Sequence, residues 1–148
     1  MCAARGVRLT VRHAAPTEEG GWRATTRMLR NASVPTACGV GSLNQLFGVM
    51  GALRDAGVAV PEAMSLVSFD EDECLAFLDV PVTSVCMPLA ELGSAAVDAP
   101  IARVEGSPAG DVMVREPMSL LLRDSVSRPG ADPMITETFG CAETQKSP

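Results

Sequence analysis

Asp70 stands at the end of the apolar run Ser65-Leu66-Val67-Ser68-Phe69, a run that reads as a buried strand. Open α/β sheets bind ligands beyond the carboxyl ends of their strands, so a carboxylate there is placed for recognition. Its two oxygens can accept hydrogen bonds from neighbouring hydroxyls in a water-poor cleft. The competing role is structural: capping the turn that follows. Trp22 presents an indole that can stack on the apolar side of a sugar or on a base; the competing role is a core anchor paired with Leu29. Ser42 precedes a helical pattern and reads first as an N-cap. Glu71, Asp72 and Glu73 bring hard-cation chemistry to mind. Calcium sites, however, need about six to eight oxygens at set positions and a glycine for the turn, so a solvated acidic loop is the favoured reading. Arg12 and His13 follow the first predicted strand and could face the same cleft as Asp70.

Catalytic sets are not assembled. Gly39-Val40-Gly41-Ser42-Leu43 lacks the third glycine and the lysine of a phosphate loop, and its serine is out of spacing for a nucleophile elbow. Five cysteines are widely spread with no Cys-x-x-Cys pair, and His13 is the single histidine, which argues against a disulfide framework, a zinc site or a His-based nucleophile. An enzyme is therefore the least supported class, and no cofactor or metal is expected. A net charge of −6 offers no basic stripe to neutralise phosphates, so this chain is not expected to bind nucleic acid directly. No apolar run reaches membrane-span length, no signal-peptide pattern opens the sequence, and a cytoplasmic location is expected.

The elements that must position these residues follow from periodicity. Val7 to Arg12 alternates apolar and polar, as a strand does. Thr17 caps a helix with Glu18 and Glu19 in its first turn and Trp22, Thr25, Thr26 and Leu29 on one face. Thr36 to Gly41 is a short apolar strand suited to burial on both faces. Leu43, Leu46, Phe47, Met50 and Leu53 recur at helical spacing, with Gly57 as the left-handed stop. After the Asp70 strand come a helical turn from Leu75 to Leu78 and a strand from Val82 to Met87. Pro88 is expected as the first residue of a helix over 89–105 that contains Pro100, and Gly106 ends it. Val112 to Leu122 is extended. From Ser127 the composition of Pro, Gly, Ser, Thr and charge predicts a disordered tail over 127–148. The alternation predicts an α/β fold with a doubly wound parallel sheet over residues 1–126.

Several stretches resemble the LacI/GalR family of bacterial regulators. Val34-Pro35-Thr36-Ala37-Cys38 and Ala52-Leu53-Arg54-Asp55-Ala56-Gly57-Val58-Ala59-Val60-Pro61-Glu62 look like family segments. Met64-Ser65-Leu66-Val67-Ser68-Phe69-Asp70 is similar to the family's strand ending in Phe-Asp-Asp. Pro81 to Val85, Pro88 to Ala96 and Arg123-Asp124-Ser125 resemble its later motifs, so the likeness runs from about residue 7 to 126. The resemblance implies the C-terminal lobe of a periplasmic-binding-protein-like type I fold, incomplete, without the DNA-binding headpiece and nearly all of the N-terminal lobe. It also implies a sensor for a small-molecule effector, a sugar or nucleoside-like compound, with Asp70 accepting from ligand hydroxyls and Trp22 and Ser42 near the cleft. Ser42-Leu43 replaces the family's Asn-Asp, which removes two ligand-contacting groups. Met50, Leu53, Phe77 and Leu78 fall where members dimerise, implying a homodimer or pairing with related repressors. Two other readings remain: an interaction module acting on full-length repressors, or a truncated gene fragment.

Overall fold

The computed structural model describes residues 6–106 and 115–128, and the backbone of 135–141. Alternation builds β1 (Arg8–Ala14), and Thr17 then starts α1 (Glu18–Leu29), its hydroxyl accepting from Gly20 N–H at 3.1 Å. The apolar run over 36–41 becomes β2 (Ala37–Val40), followed by α2 (Leu43–Asp55). Gly57 stops that helix with φ 68°, a conformation open to glycine at little cost. β3 (Ser65–Ser68), a 3-10 turn (Glu73–Ala76) and β4 (Thr83–Cys86) follow. Next come α3 (Leu89–Val104), β5 (Ser119–Leu121) and β6 (Ile135–Cys141).

The strand order is β1-β6-β2-β3-β4-β5, parallel throughout except for β5, which runs antiparallel to β4. α1 and α2 pack on each other and on the row Cys38, Val40 and Leu66, closing a core with Met28, Leu46, Val49, Leu53, Met64, Leu75 and Val82. Two glycines let the helices approach. A Cβ on Gly48 would strike the Glu18 carbonyl and come within 2.7 Å of Trp22 N, and one on Gly21 would strike the Gln45 carbonyl.

Four expectations change. The segment 127–148 is not uniformly without structure: Ile135–Cys141 is a strand inside the sheet, paired on both sides. The β1–α1–β2 crossover skips one strand position, and the exposed backbone groups of both edges need partners. The tail's Pro- and Gly-rich composition concealed the short β-prone run Ile-Thr-Glu-Thr-Phe. Residues 129–134 and 142–148 of that expected tail lie outside the described residues. Pro88 sits at the cap position of α3 (φ −76°, ψ 73°) rather than inside the helix. The helical turn expected at Leu75 to Leu78 lies earlier, because Asp72 caps it by accepting from Cys74 N–H at 2.9 Å. The extended region expected over Val112 to Leu122 is a strand only at Ser119–Leu121, and residues 112–114 lie outside the described residues.

Candidate functional site

Asp70 leaves the sheet at the carboxyl end of β3. Ser68 shapes that exit: its hydroxyl donates to the Asp70 carbonyl at 2.6 Å and accepts the Asp70 N–H at 3.2 Å. The Asp70 side chain then turns toward α2, where Oδ2 accepts the Leu43 N–H at 2.9 Å. It caps a helix, though not the turn following it in sequence. The cap also suits the helix dipole, which favours negative charge at an N-terminus. Ser42 occupies the N-cap position with extended backbone (φ −144°, ψ 139°), but its hydroxyl makes no capping bond. The capping role read for Ser42 thus belongs to Asp70, 27 residues beyond the Leu43 amide it caps. Both residues are half-buried and meet at the mouth formed by the carboxyl ends of β2 and β3.

Gln45 joins β1 to this mouth, and its type gave no such warning in the sequence. It is fully buried, and its Nε2 donates to the carbonyls of Ala14 and Ala15, each at 3.0 Å. Its Oε1 has no hydrogen-bond partner among the described residues. A signal was available: Gln45, Val49 and Ala52 share one helical face, and a polar residue there must find buried partners.

Trp22 is not brought to this mouth. Its Nε1 donates to Asp55 at 3.3 Å, and it lines a 250 Å³ depression with Leu29, Arg30 and Ala56 between the C-terminal halves of α1 and α2. Those halves lie toward the opposite end of the sheet, because each helix runs back against its preceding strand. At 41% exposure Trp22 is a bracket between two helices rather than a core anchor. Arg12 and His13 line a 470 Å³ concavity with Thr17, Arg23 and Arg27 between β1 and α1, one whose lining does not include Asp70.

The acidic run divides its labour. Asp72 caps the 3-10 turn, and hydrogen bonding from Cys74 holds its carboxyl below the ordinary aspartate value. Glu71 is not solvated: Arg123 grips it with Nη2 at 2.7 Å from Oε1 and Nη1 at 3.1 Å from Oε2, while Ser84 also donates to it. The hydrogen bond from Arg123 is the main cause of a Glu71 pKa below its usual 4.5, and burial opposes it. Arg123 further donates to the Val82 carbonyl at 2.7 Å and to Ser84 Oγ at 2.8 Å. Ser125, fully buried, bridges the splayed starts of β3 and β4 by donating to the Leu66 carbonyl (2.6 Å) and accepting the Thr83 N–H (2.8 Å). The Arg123-Asp124-Ser125 motif is thus a staple beneath the site.

Of the four residues read as a dimer surface, Leu53 is 1% exposed and belongs to the core, so it cannot be a contact between molecules. Its spacing along α2 is that of the inward face. Met50 and Leu78 are half-buried and, with Phe47 and Val60, line an apolar cavity of 450 Å³. Phe77 stands 86% exposed.

Comparison with known proteins places this geometry. The periplasmic binding protein-like domain family matches residues 1–126. The chain is 33% identical over 99 residues to the HTH-type transcriptional regulator MalR of Streptomyces coelicolor, covering 67% of this chain and 28% of that protein. It is 30% identical over 109 residues to the ribose operon repressor of Haemophilus influenzae, covering 73% and 32%. Among solved structures, a LacI family transcriptional regulator from Lactobacillus casei with bound sucrose superposes with a TM-score of 0.59 at 26% identity, covering 74% of this chain and 41% of that one. The chain spans about a third of the length of the curated relatives it matches. Residues 1–126 thus place the chain in the periplasmic binding protein-like domain family, as part of an effector-binding domain of the LacI/GalR type.

Proposed function

We propose that this chain forms one wall of an effector cleft for a sugar-like ligand in a cytoplasmic transcriptional regulator, acting by binding and not by catalysis. One observation carries the reading: Asp70 projects from the carboxyl end of β3 with Oδ2 fixed by Leu43 N–H. Its second carboxylate oxygen, Oδ1, is the one assigned to ligand hydroxyls. The sucrose bound by the Lactobacillus casei regulator and the name of the Haemophilus repressor support the sugar class. Residues 1–126 are the sensor part in this reading. Ser42 borders the ligand, whereas Trp22 contributes through the helices and not by stacking.

Half a cleft leaves most of a ligand wet, so affinity should fall in the millimolar range. Isothermal titration with ribose, sucrose, maltose and adenosine tests this, with Asp70→Asn removing whatever binding is found. Micromolar affinity in the isolated chain would overturn the half-cleft reading.

A second reading, self-association through the face around Phe77, is favoured by that ring's exposure beside the Met50–Leu78 cavity. Sedimentation of Phe77→Asp decides it: dimers in the parent chain that dissociate in the variant support this face, and monomers in both exclude it.

A further inference from the structure

β1 and α1 enclose the 470 Å³ concavity that Arg12 and His13 line, a volume suited to a small organic molecule. Its charge is out of keeping with the rest of the chain. Arg12 comes from β1, Arg23 and Arg27 come from α1, and Glu19 is the only carboxylate among the lining residues. Three guanidinium groups against one carboxylate leave two positive charges in this hollow, whereas the whole chain carries −6.

That concentration has an energetic cost. Arg23 and Arg27 are four residues apart in α1, so their side chains leave the helix about 5–6 Å from each other. Like charges at that spacing weaken a helix, and both residues are exposed rather than held by the core. Glu19 relieves part of the repulsion by meeting Arg23 Nη2 at 2.6 Å, with side-chain exposures of 71% and 73%. So wet an ion pair holds its arginine weakly, and Arg23 has further N–H donors for a second acceptor. Arginine on a strand can also guard a sheet edge against pairing. That role would explain Arg12 but not the two arginines on the helix.

The hollow is not charged throughout. Val11, Ala14 and Ala24 line it beside the arginines, which provides apolar surface for a carbon skeleton. A guanidinium fork matches the oxygens of phosphate as well as those of carboxylate. The two net positive charges favour a dianion, and so a phosphate.

We propose that the concavity between β1 and α1 is a second small-molecule site, which takes the phosphate group of a small phosphomonoester. Arg12, Arg23 and Arg27 engage the phosphate, and Val11 and Ala24 receive the organic stem. Asp70 does not line this hollow, so the inference stands apart from the effector reading.

The test titrates the full chain calorimetrically, at low salt, with n-butyl phosphate, inorganic phosphate and n-butanol. Butyl phosphate should bind with a Kd of about 0.1 mM, about tenfold tighter than inorganic phosphate, and butanol should not bind. Arg23→Gln with Arg27→Gln should weaken butyl phosphate at least tenfold, and Arg12→Gln alone should weaken it several-fold, each variant keeping its far-UV spectrum. Arg54→Gln with Arg103→Gln makes the same change in net charge elsewhere and should leave the affinity unchanged. So should Asp70→Asn. No binding of butyl phosphate at about 10 mM would overturn the proposal. Equal weakening in the two double variants would overturn it as well, because affinity would then follow net charge alone. Loss of binding in Asp70→Asn would move the phosphate to the mouth at Asp70 and remove the second site. Inorganic phosphate binding as tightly as its butyl ester would overturn the monoester assignment.

Discussion

α2 and α3 have similar composition and length, yet they differ completely in what they bury. α2 hides Gln45, Leu46, Gly48, Val49, Ala52 and Leu53, whereas α3, the longer helix, fully buries no residue. In α3 the half-buried positions Leu92, Ala95, Ala99 and Ala102 follow helical spacing, but Leu89, Val97, Ile101 and Val104 are exposed. Helical periodicity declares that a face is apolar without declaring what covers it. For α2 the cover is the sheet and α1. For α3 it is not among the described residues, and the relatives are about three times as long as the matched region.

The comparison predicts unequal costs. Leu46→Ala in α2 deletes a fully buried side chain from the core and should cost about 3 kcal/mol, read by urea denaturation. A cost below about 1 kcal/mol would mean that the α1–α2 core is looser than described.

Next comes the staple beneath the site. Arg123→Met removes the partner of Glu71 while keeping much of the stem; both side chains of the pair are less than one-fifth exposed. Leaving that carboxylate unpaired should cost about 2 kcal/mol at neutral pH. Because the folded-state pKa of Glu71 is depressed below 4.5, the pair's contribution is present above about pH 4.5 and is lost as pH falls through the lower folded value. Thermal melts should therefore show the parent and Glu71→Gln differing at pH 7 and converging as pH falls below 4.5 through the lowered folded value. A difference that does not depend on pH would show that packing, not charge, holds the staple.

A smaller effect is expected at the site. Asp70→Ala leaves the first amide of α2 uncapped and should cost about 1 kcal/mol, read as a lower urea midpoint. Ser42→Ala should cost less, since its hydroxyl makes no cap. Equal losses would return the capping role to Ser42.

These residues also show what the sequence made legible. Each helix and most strands were readable because their periodicity and stops are local: Thr17, Gly57 and Gly106 act within a few residues of themselves. The position of Asp70 at a strand's carboxyl end was readable for the same reason. Its bond to Leu43 and the Arg123–Glu71 grip join residues 27 and 52 apart, and such pairings exist only once the strands are ordered. β6 was the hardest case. Composition over 20 residues averaged away a seven-residue strand, and nothing local could show that the β1–α1–β2 crossover leaves a vacancy.

The weakest expected effect is the most informative about α3. Ile101→Ala removes a side chain that is 49% exposed, and alanine repays part of the loss through its helix propensity. Stability of the isolated chain should change by less than about 0.5 kcal/mol. If denaturation shows a loss above about 1.5 kcal/mol, α3 is packed in solution, against another copy or another part of the chain. Repeating the melt over a range of concentrations separates those two, since only contact between copies makes the midpoint rise with concentration. A null result at every concentration would leave α3 as a helix whose apolar face is supplied for a partner outside this chain.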